Sequence, residues 1–552
     1  MKKSCRIISI VLILAMLLVG CTGGKQSGND ENNQSSTKPQ GKILRMSVSG
    51  TPKIDPATGV DGGSLIAMVN LYDSLVYPKY DGTVAPSIAE SWEVSQDNLK
   101  YTFKLKEGVK FHDGSELKAS DVVFSIKRLL TIGEGNAYLY KDYIKESVAV
   151  DDYTLEITLD KPFGPFLITL PRIYIVSEKI VMANVDKSGP YGEFGDYGKN
   201  YLLTHDAGSG AYTVTDIQQQ GYMQAAKFED YWGGWENTDA PEIIKLIDNT
   251  EASTIRTMVG NKELEIADEW QSTENINAMM KLPDVSICIF SKCAVQNYMY
   301  NTKKAPTDDV NFRKALNSLF DYKTISEKIL VDSPQSVGPV SVTIPGANTE
   351  LEKYSYDINK AKEYLAQSKY ANDLSQYPIE MTIISDVADA EKNALAFQSA
   401  AGQVGITVNI SKAPWLSVQE QVSKVETTPN MISISVPANY FETGSILSSR
   451  YHSSSTGTWE QCEWLQDDEI DKMIDDALAT TDQDERFAKY NTIQEKIVEL
   501  APTAWLVDNV QRHVYQSDYV YWPIAEEIKK GNIVTLPTGY PFDFKDFKVT
   551  VK

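Results

Sequence analysis

Cysteine and histidine are scarce in this chain, and basic residues are outnumbered. It has five cysteines and four histidines in 552 residues. Cys5 and Cys21 belong to the first, apolar segment, which leaves Cys288, Cys293 and Cys462. An odd three cannot build a full disulfide framework. One bridge stays open beside the reading as three small buried thiols. No CxxC spacing occurs among them, and His112, His205, His452 and His513 are scattered without a His-Glu-x-x-His pattern, so a catalytic metal has little to bind to. Lysine and arginine total 53 against 75 aspartates and glutamates, a formal charge of −22. That balance denies nucleic acid the basic footprint its phosphates need. Beyond the N-terminal segment no apolar run is long enough for a membrane helix. A Gly-x-Ser-x-Gly elbow is also missing, and 75 acids make any acidic pair uninformative about hydrolysis. No repeat of fixed period is visible, and no cofactor is expected.

The N-terminal segment carries charge and grease in a set order. Lys2, Lys3 and Arg6 precede an apolar run over 7–19 interrupted only by Ser9, the charge and length of a secretory signal. The residues Leu18, Val19, Gly20 and Cys21 resemble the lipobox of bacterial lipoproteins, which implies cleavage before Cys21 and a diacylglycerol on its sulfur. Two or more acyl chains anchor far better than one. The plainer alternative is an ordinary signal with an incidental cysteine. Residues 23–42 are glycine, serine, asparagine, glutamine and lysine with a few acids, too polar to fold, and read as a flexible tether. About 510 residues follow, enough for two to four domains.

Both structural periods occur in this body. Leu99, Tyr101, Phe103 and Leu105, then Tyr153, Leu155, Ile157 and Leu159, alternate as half-buried strands do. Between them Ala119, Val122, Val123, Ile126, Leu129 and Leu130 fall at helical spacing, with Ser120 or Asp121 available as a cap. Further on, strand 381–384, helix 388–403, a stop at Gly405 and strand 406–410 predict a βαβ crossover. Ile470, Met473, Ile474, Ala477 and Leu478 predict a helix with Asp467 and Asp468 at its positive end. The fold class is α/β.

The run APSIAESWEVSQDNLKYTFKLKEGVKFHDGSELKASDVVFSIKRL at 85–129 resembles the signature region of family 5 extracellular solute-binding proteins, the peptide and nickel receptors of ABC importers. Gly-Ser-Gly-Ala-Tyr at 208–212 and Tyr-Trp-Gly at 231–233 are similar to further markers of that family. So are Asn301, the segment 309–316, Asp321, Arg486, Tyr490 and Pro502. Without a following Gly-Lys-Ser/Thr, Gly208 and Gly210 form a tight turn rather than a phosphate loop. The resemblance implies a two-lobed periplasmic-binding-protein-like fold of the large type II cluster, with mixed sheets and flanking helices. Domain I would comprise 42–85, 205–305 and 505–552, domain II 86–204, and domain III 306–504. Lobe 1 (I plus II) and lobe 2 (III) would close on a ligand.

The same resemblance implies a monomeric receptor, not an enzyme. It would be held by lipid on the outer face of the cytoplasmic membrane of a Gram-positive cell, and would serve ABC permease and ATPase subunits. Peptide-binding relatives hold the ligand's α-amine with an aspartate in the third domain. Here the matching stretch 437–444 carries Asn439, followed by Tyr440. An amide offers a buried ammonium only a dipole, so Asp61, Glu442 or Asp268 would have to substitute. Lys424 lies where relatives place an arginine. Trp415, Trp270, Tyr138, Tyr140, and Asp61 with Gly62 complete the expected ligand contacts, each with a core role as its rival. Aromatic walls and an uncharged Asn439 also suit an oligosaccharide. Nickel lacks a histidine cluster. A ligand sensor and a lipid-anchored envelope hydrolase are the remaining alternatives.

Overall fold

Lys100–Leu105 buries Tyr101, Phe103 and Leu105 and turns Lys100 and Lys104 to water, the alternation of a strand with one wet face. It pairs antiparallel in a four-stranded sheet ordered 89–94, 100–105, 154–159, 144–151. Helix Ala119–Ile132 follows. Its cap differs from the expected one: the helix starts after Lys118, whose amide donates to the Asp121 carboxylate at 2.9 Å. Asp121 thus acts one turn inside, as the acceptor that closes a helix start. The computed structural model describes residues 41–550 apart from Asp386 and Ala388, so the signal, Cys21 and nearly all of the tether lie outside the described residues.

A second four-stranded sheet runs 43–48, 243–248, 222–227, 212–218, with its first pair parallel and the rest antiparallel. Its link to the first sheet explains the His-Asp-Gly and Gly-Ser-Gly motifs. His112 pairs with the Asp206 carboxylate through Nδ1 and reaches the Gly210 carbonyl through Nε2. A Cβ on Gly208 would lie 1.9 Å from the Leu71 carbonyl, and Gly210 donates to that same carbonyl at 3.0 Å. Close backbone approach, rather than turn geometry, is what demands these glycines.

The third sheet has five strands in the order 408–413, 379–384, 431–437, 285–300, 503–516. Strands Ile379–Ile384 and Val408–Ala413 pair in parallel around helix Ala390–Gly402, which is the βαβ crossover the periodicity predicts. Helix Asp468–Ala479 is capped by the Asp467 side chain, which accepts from the Glu469 and Ile470 amides.

Strands Val285–Tyr300 and Thr503–Gln516 belong to two bodies at once. Their outer halves pair from Val285 with Gln516 to Ser291 with Val510, and join the 43–48 sheet through Ile266, which bridges Met46 and Tyr515. Pairing then breaks and resumes at Val295 with Asp508, where the first strand also takes Val436 of the third sheet as a partner. Cys293, inside the break, has φ of +53°, a left-handed backbone rare for any residue but glycine. These two strands thus run from one sheet into the other, with register shifts between Ser291 and Val295 and between Gln296 and Asn297.

Candidate ligand cleft between the lobes

Three acids were expected to replace an aspartate at 439, and the structure occupies all three with protein partners. Glu442 is buried and takes Arg486 through Nε at 2.9 Å and Nη2 at 2.8 Å, with the Tyr490 hydroxyl at 2.8 Å. Asp268 is buried and accepts from Ser47, Gln271 and the Trp270 amide. Asp61, exposed beside Gly62, caps helix Gly62–Leu71 by accepting from the Ser64 amide at 2.9 Å and hydroxyl at 2.6 Å. Lys424 lies exposed in the loop after helix Trp415–Val422.

Two aromatic expectations are corrected. Tyr140 is fully buried and donates to the Thr169 carbonyl at 2.6 Å, because the short 3-10 turn Gly135–Leu139 rolls it into the core. Tyr440 is buried as well, edge-on at 6.2 Å to Phe163, which itself stacks on Tyr143 at 4.1 Å. That ring is packing between the lobes rather than a surface for a ligand.

Tyr138 sits on the opposite face of the same turn and is 42% exposed. Burial by the surrounding protein nevertheless pushes its phenol well above the ordinary tyrosine value, and the charge of Glu460 in the other lobe adds to this. Tyr138 thus stands, partly exposed, where the two lobes face each other. Asn439 belongs to the other lobe. Its carbonyl accepts from Arg172 Nε at 3.1 Å, and the same buried guanidinium donates to the Thr538 carbonyl at 3.0 Å. Arg172 thus ties lobe 1 to lobe 2.

Trp415 is half-buried and meets Trp459 edge-to-face at 5.3 Å, next in sequence to Glu460. Trp270, 45% exposed, sits at the strand crossing with the Lys292 ammonium 4.4 Å above its ring and that ammonium on Glu269 at 2.7 Å. Tyr138 and Asn439 thus share Arg172 and Glu460 as neighbours, and Trp270 stands at the strand crossing. Arg172, Trp459 and Glu460 escape sequence reasoning, since their partners lie hundreds of positions away or carry no periodic mark.

Among the described residues no group of three histidine, cysteine, aspartate or glutamate side chains is placed to hold a metal ion. Cys288, Cys293 and Cys462 are free, buried thiols. Burial pushes those of Cys288 and Cys293 up to about 12, out of reach of ordinary thiolate chemistry. Inside lobe 1 a separate cavity of about 220 Å³ is lined by Tyr72, Asp73, Trp232 and Asp543. Among the described residues no helix is long and apolar enough to cross a membrane.

The sequence profile of the bacterial extracellular solute-binding proteins, family 5, matches residues 83–458. The chain belongs to that family. As a family 5 solute-binding protein it is similar to the probable D,D-dipeptide-binding periplasmic protein of Escherichia coli, 25% identical over 87% of this chain and 92% of the relative. It is equally similar to heme-binding protein A of Haemophilus influenzae, 26% identical over 90% of this chain and 92% of the relative. Its fold matches that of the periplasmic binding protein DppA of Helicobacter pylori solved with the peptide STSA, with a TM-score of 0.76, 24% identity, and 92% and 98% of the two chains covered. The fold is thus the two-lobed, mixed α/β one that the signature run implied. The different ligands of these relatives mean that family 5 membership alone leaves the ligand to be argued from the site.

Proposed function

We propose that this protein captures peptides in the space between its lobes and delivers them to an ABC importer. The observation that carries this reading is the cluster of Tyr138, Asn439 and Glu460, polar side chains drawn from both lobes, of which Tyr138 is partly exposed. Relatives named for dipeptides match the chain over most of its length, which supports peptides over sugars. Capture works by differential binding: a ligand that touches both walls stabilises the closed state alone. A monomer with the domain limits 42–85 plus 205–305 plus 505–552, 86–204 and 306–504 is the body we infer. A diacylglycerol on Cys21 would leash it outside the cell within reach of permease and ATPase subunits.

Thermal denaturation with separate pools of short peptides, oligosaccharides and metal ions tests the ligand, because a compound bound only by the folded state raises the melting temperature. Peptides are expected to raise it. Stabilisation by sugars alone would overturn the peptide reading, and turnover of any compound would replace the receptor with an enzyme. For the anchor, mass spectrometry of the N-terminal peptide from membranes is expected to show a lipid-bearing Cys21, and Cys21→Ala to release the protein.

A further inference from the structure

Glu460 is an acid of this cleft with neither a counter-ion nor a completed side-chain hydrogen bond among the described residues. Among the described residues no lysine, arginine or histidine nitrogen forms an ion pair with it. Its nearest cation, Arg450, is committed elsewhere: Nη1 donates to Asn297 at 3.0 Å and Nη2 pairs with the Glu463 carboxylate. Arg450 reaches only the peptide carbonyl of Glu460, through Nε at 3.4 Å. Burial raises the Glu460 carboxyl above its ordinary value, and nearby Ser449 and Asn439 pull it only part of the way back. Neither Ser449 Oγ nor Asn439 Nδ2 completes a hydrogen bond with it or with any other protein group, although both atoms are buried. A half-buried carboxylate without an ion-pair partner, beside two idle buried polar atoms, is a set that a ligand can complete.

What completes it has a definable chemistry. The missing partner is a cation with several donors. Trp459, next in sequence to Glu460, meets Trp415 edge-to-face, and aromatic faces favour cations over neutral groups. A protonated primary amine fits: it offers three N–H donors, for the Glu460 carboxylate, the Ser449 hydroxyl oxygen and one further acceptor, while the idle Asn439 Nδ2, itself a donor, is left for an oxygen of the ligand. Building on the peptide-binding reading, we propose that Glu460 is the counter-charge for the ligand's ammonium group. It does the work that an aspartate at 439 would do, from the opposite end of the same pocket.

The test uses native mass spectrometry on the full mature chain with two probes, a lysine-free pool of tri- to pentapeptides with free amino termini and the same pool N-acetylated. Wild type is expected to bind the free-amine pool about 30-fold more tightly than the acetylated one, the size of a lost buried charge contact. Glu460→Gln should lower free-amine binding to the acetylated level while leaving the acetylated pool unaffected. Should Gln fail to fold, Glu460→Asp, which keeps the charge but shortens the reach, is expected to give an intermediate loss. Wild-type discrimination that survives in both variants would overturn the role of Glu460 and leave the peptide receptor standing. Equal binding of both pools by wild type would overturn it too, and binding of neither would remove the peptide reading with it.

A pH series adds a readout that packing alone would not move. The titratable and charged groups facing Glu460 are Tyr138 and Arg450, with the polar Ser449 and Asn439 beside them. Free-amine binding should weaken as pH falls through the raised Glu460 value, while Tyr138 stays a neutral phenol throughout. Glu460→Gln should abolish that dependence, and a dependence that survives in Glu460→Gln would contradict the assignment.

Discussion

Glu442 and Glu460 stand on the same lobe, close in sequence, the first buried and the second half-buried, and they meet their surroundings in opposite ways. Glu442 is saturated by Arg486 and Tyr490, and helix Gln483–Leu500 brings both from its buried face. Glu460 has neighbours that fall short of bonding it and no cation of its own among the described residues. A satisfied buried carboxylate holds the fold together, whereas an unsatisfied half-buried one where the lobes face each other is a site waiting for a partner. The difference teaches which of two acids to read as structure and which as function, and perturbing them separately should separate stability from binding.

The largest expected effect is on Arg486. Arg486→Met leaves Glu442 buried and unpaired, and chemical denaturation should show a loss of about 3–5 kcal/mol. A loss below about 1 kcal/mol would mean that Glu442 is not the structural member of the comparison. The converse holds for Glu460→Gln without ligand, which removes a charge the fold does not pair. Its stability should equal or exceed that of wild type by up to about 2 kcal/mol, read from the same denaturation midpoint.

The pH dependence of stability sharpens the same contrast. A carboxyl whose folded value lies above its ordinary 4.5 binds more protons folded than unfolded in the window between the two values. The Glu460 contribution to apo stability therefore rises as pH falls through that window, the reverse of an ion-paired acid. Wild type minus Glu460→Gln should show this slope, and ligand affinity should show the opposite one.

The smallest effect is expected at the exposed pair that also bridges the lobes, Lys392 with Glu274 at 2.8 Å. Glu274→Ala should cost under about 1 kcal/mol, since water screens both charges and Lys392 keeps Asp389 as a partner. A larger loss would mean that lobe closure depends on surface charge rather than on the buried contacts of Tyr440, Phe163 and Arg172.

Much of this architecture is legible in the chain, for physical reasons. Period-2 and period-3.6 patterns at 99–105, 119–130 and 379–410 report one buried face each, and that face is what folding preserves. The signature run at 85–129 fixes the family. The cleft is far less legible. Tyr138 and Tyr140 sit two positions apart on one short turn, and only three-dimensional placement sends one to solvent and the other to the core. Tyr440 reads as a wall residue and is packing, because an aromatic ring serves either role equally well. Glu442 reads as an available acid until Arg486 and Tyr490 arrive from a distant helix. Arg172 and Glu460 gain their meaning only from neighbours that folding brings to them.

The most direct measurement is a crystal structure of the protein grown with the free-amine peptide pool. The account predicts ligand density between the lobes with an ammonium nitrogen within about 3 Å of the Glu460 carboxylate and beside Asn439 and Tyr138. Density in the lobe 1 cavity at Asp73, or a ligand in the cleft whose amine turns away from Glu460 toward another acid, would contradict it.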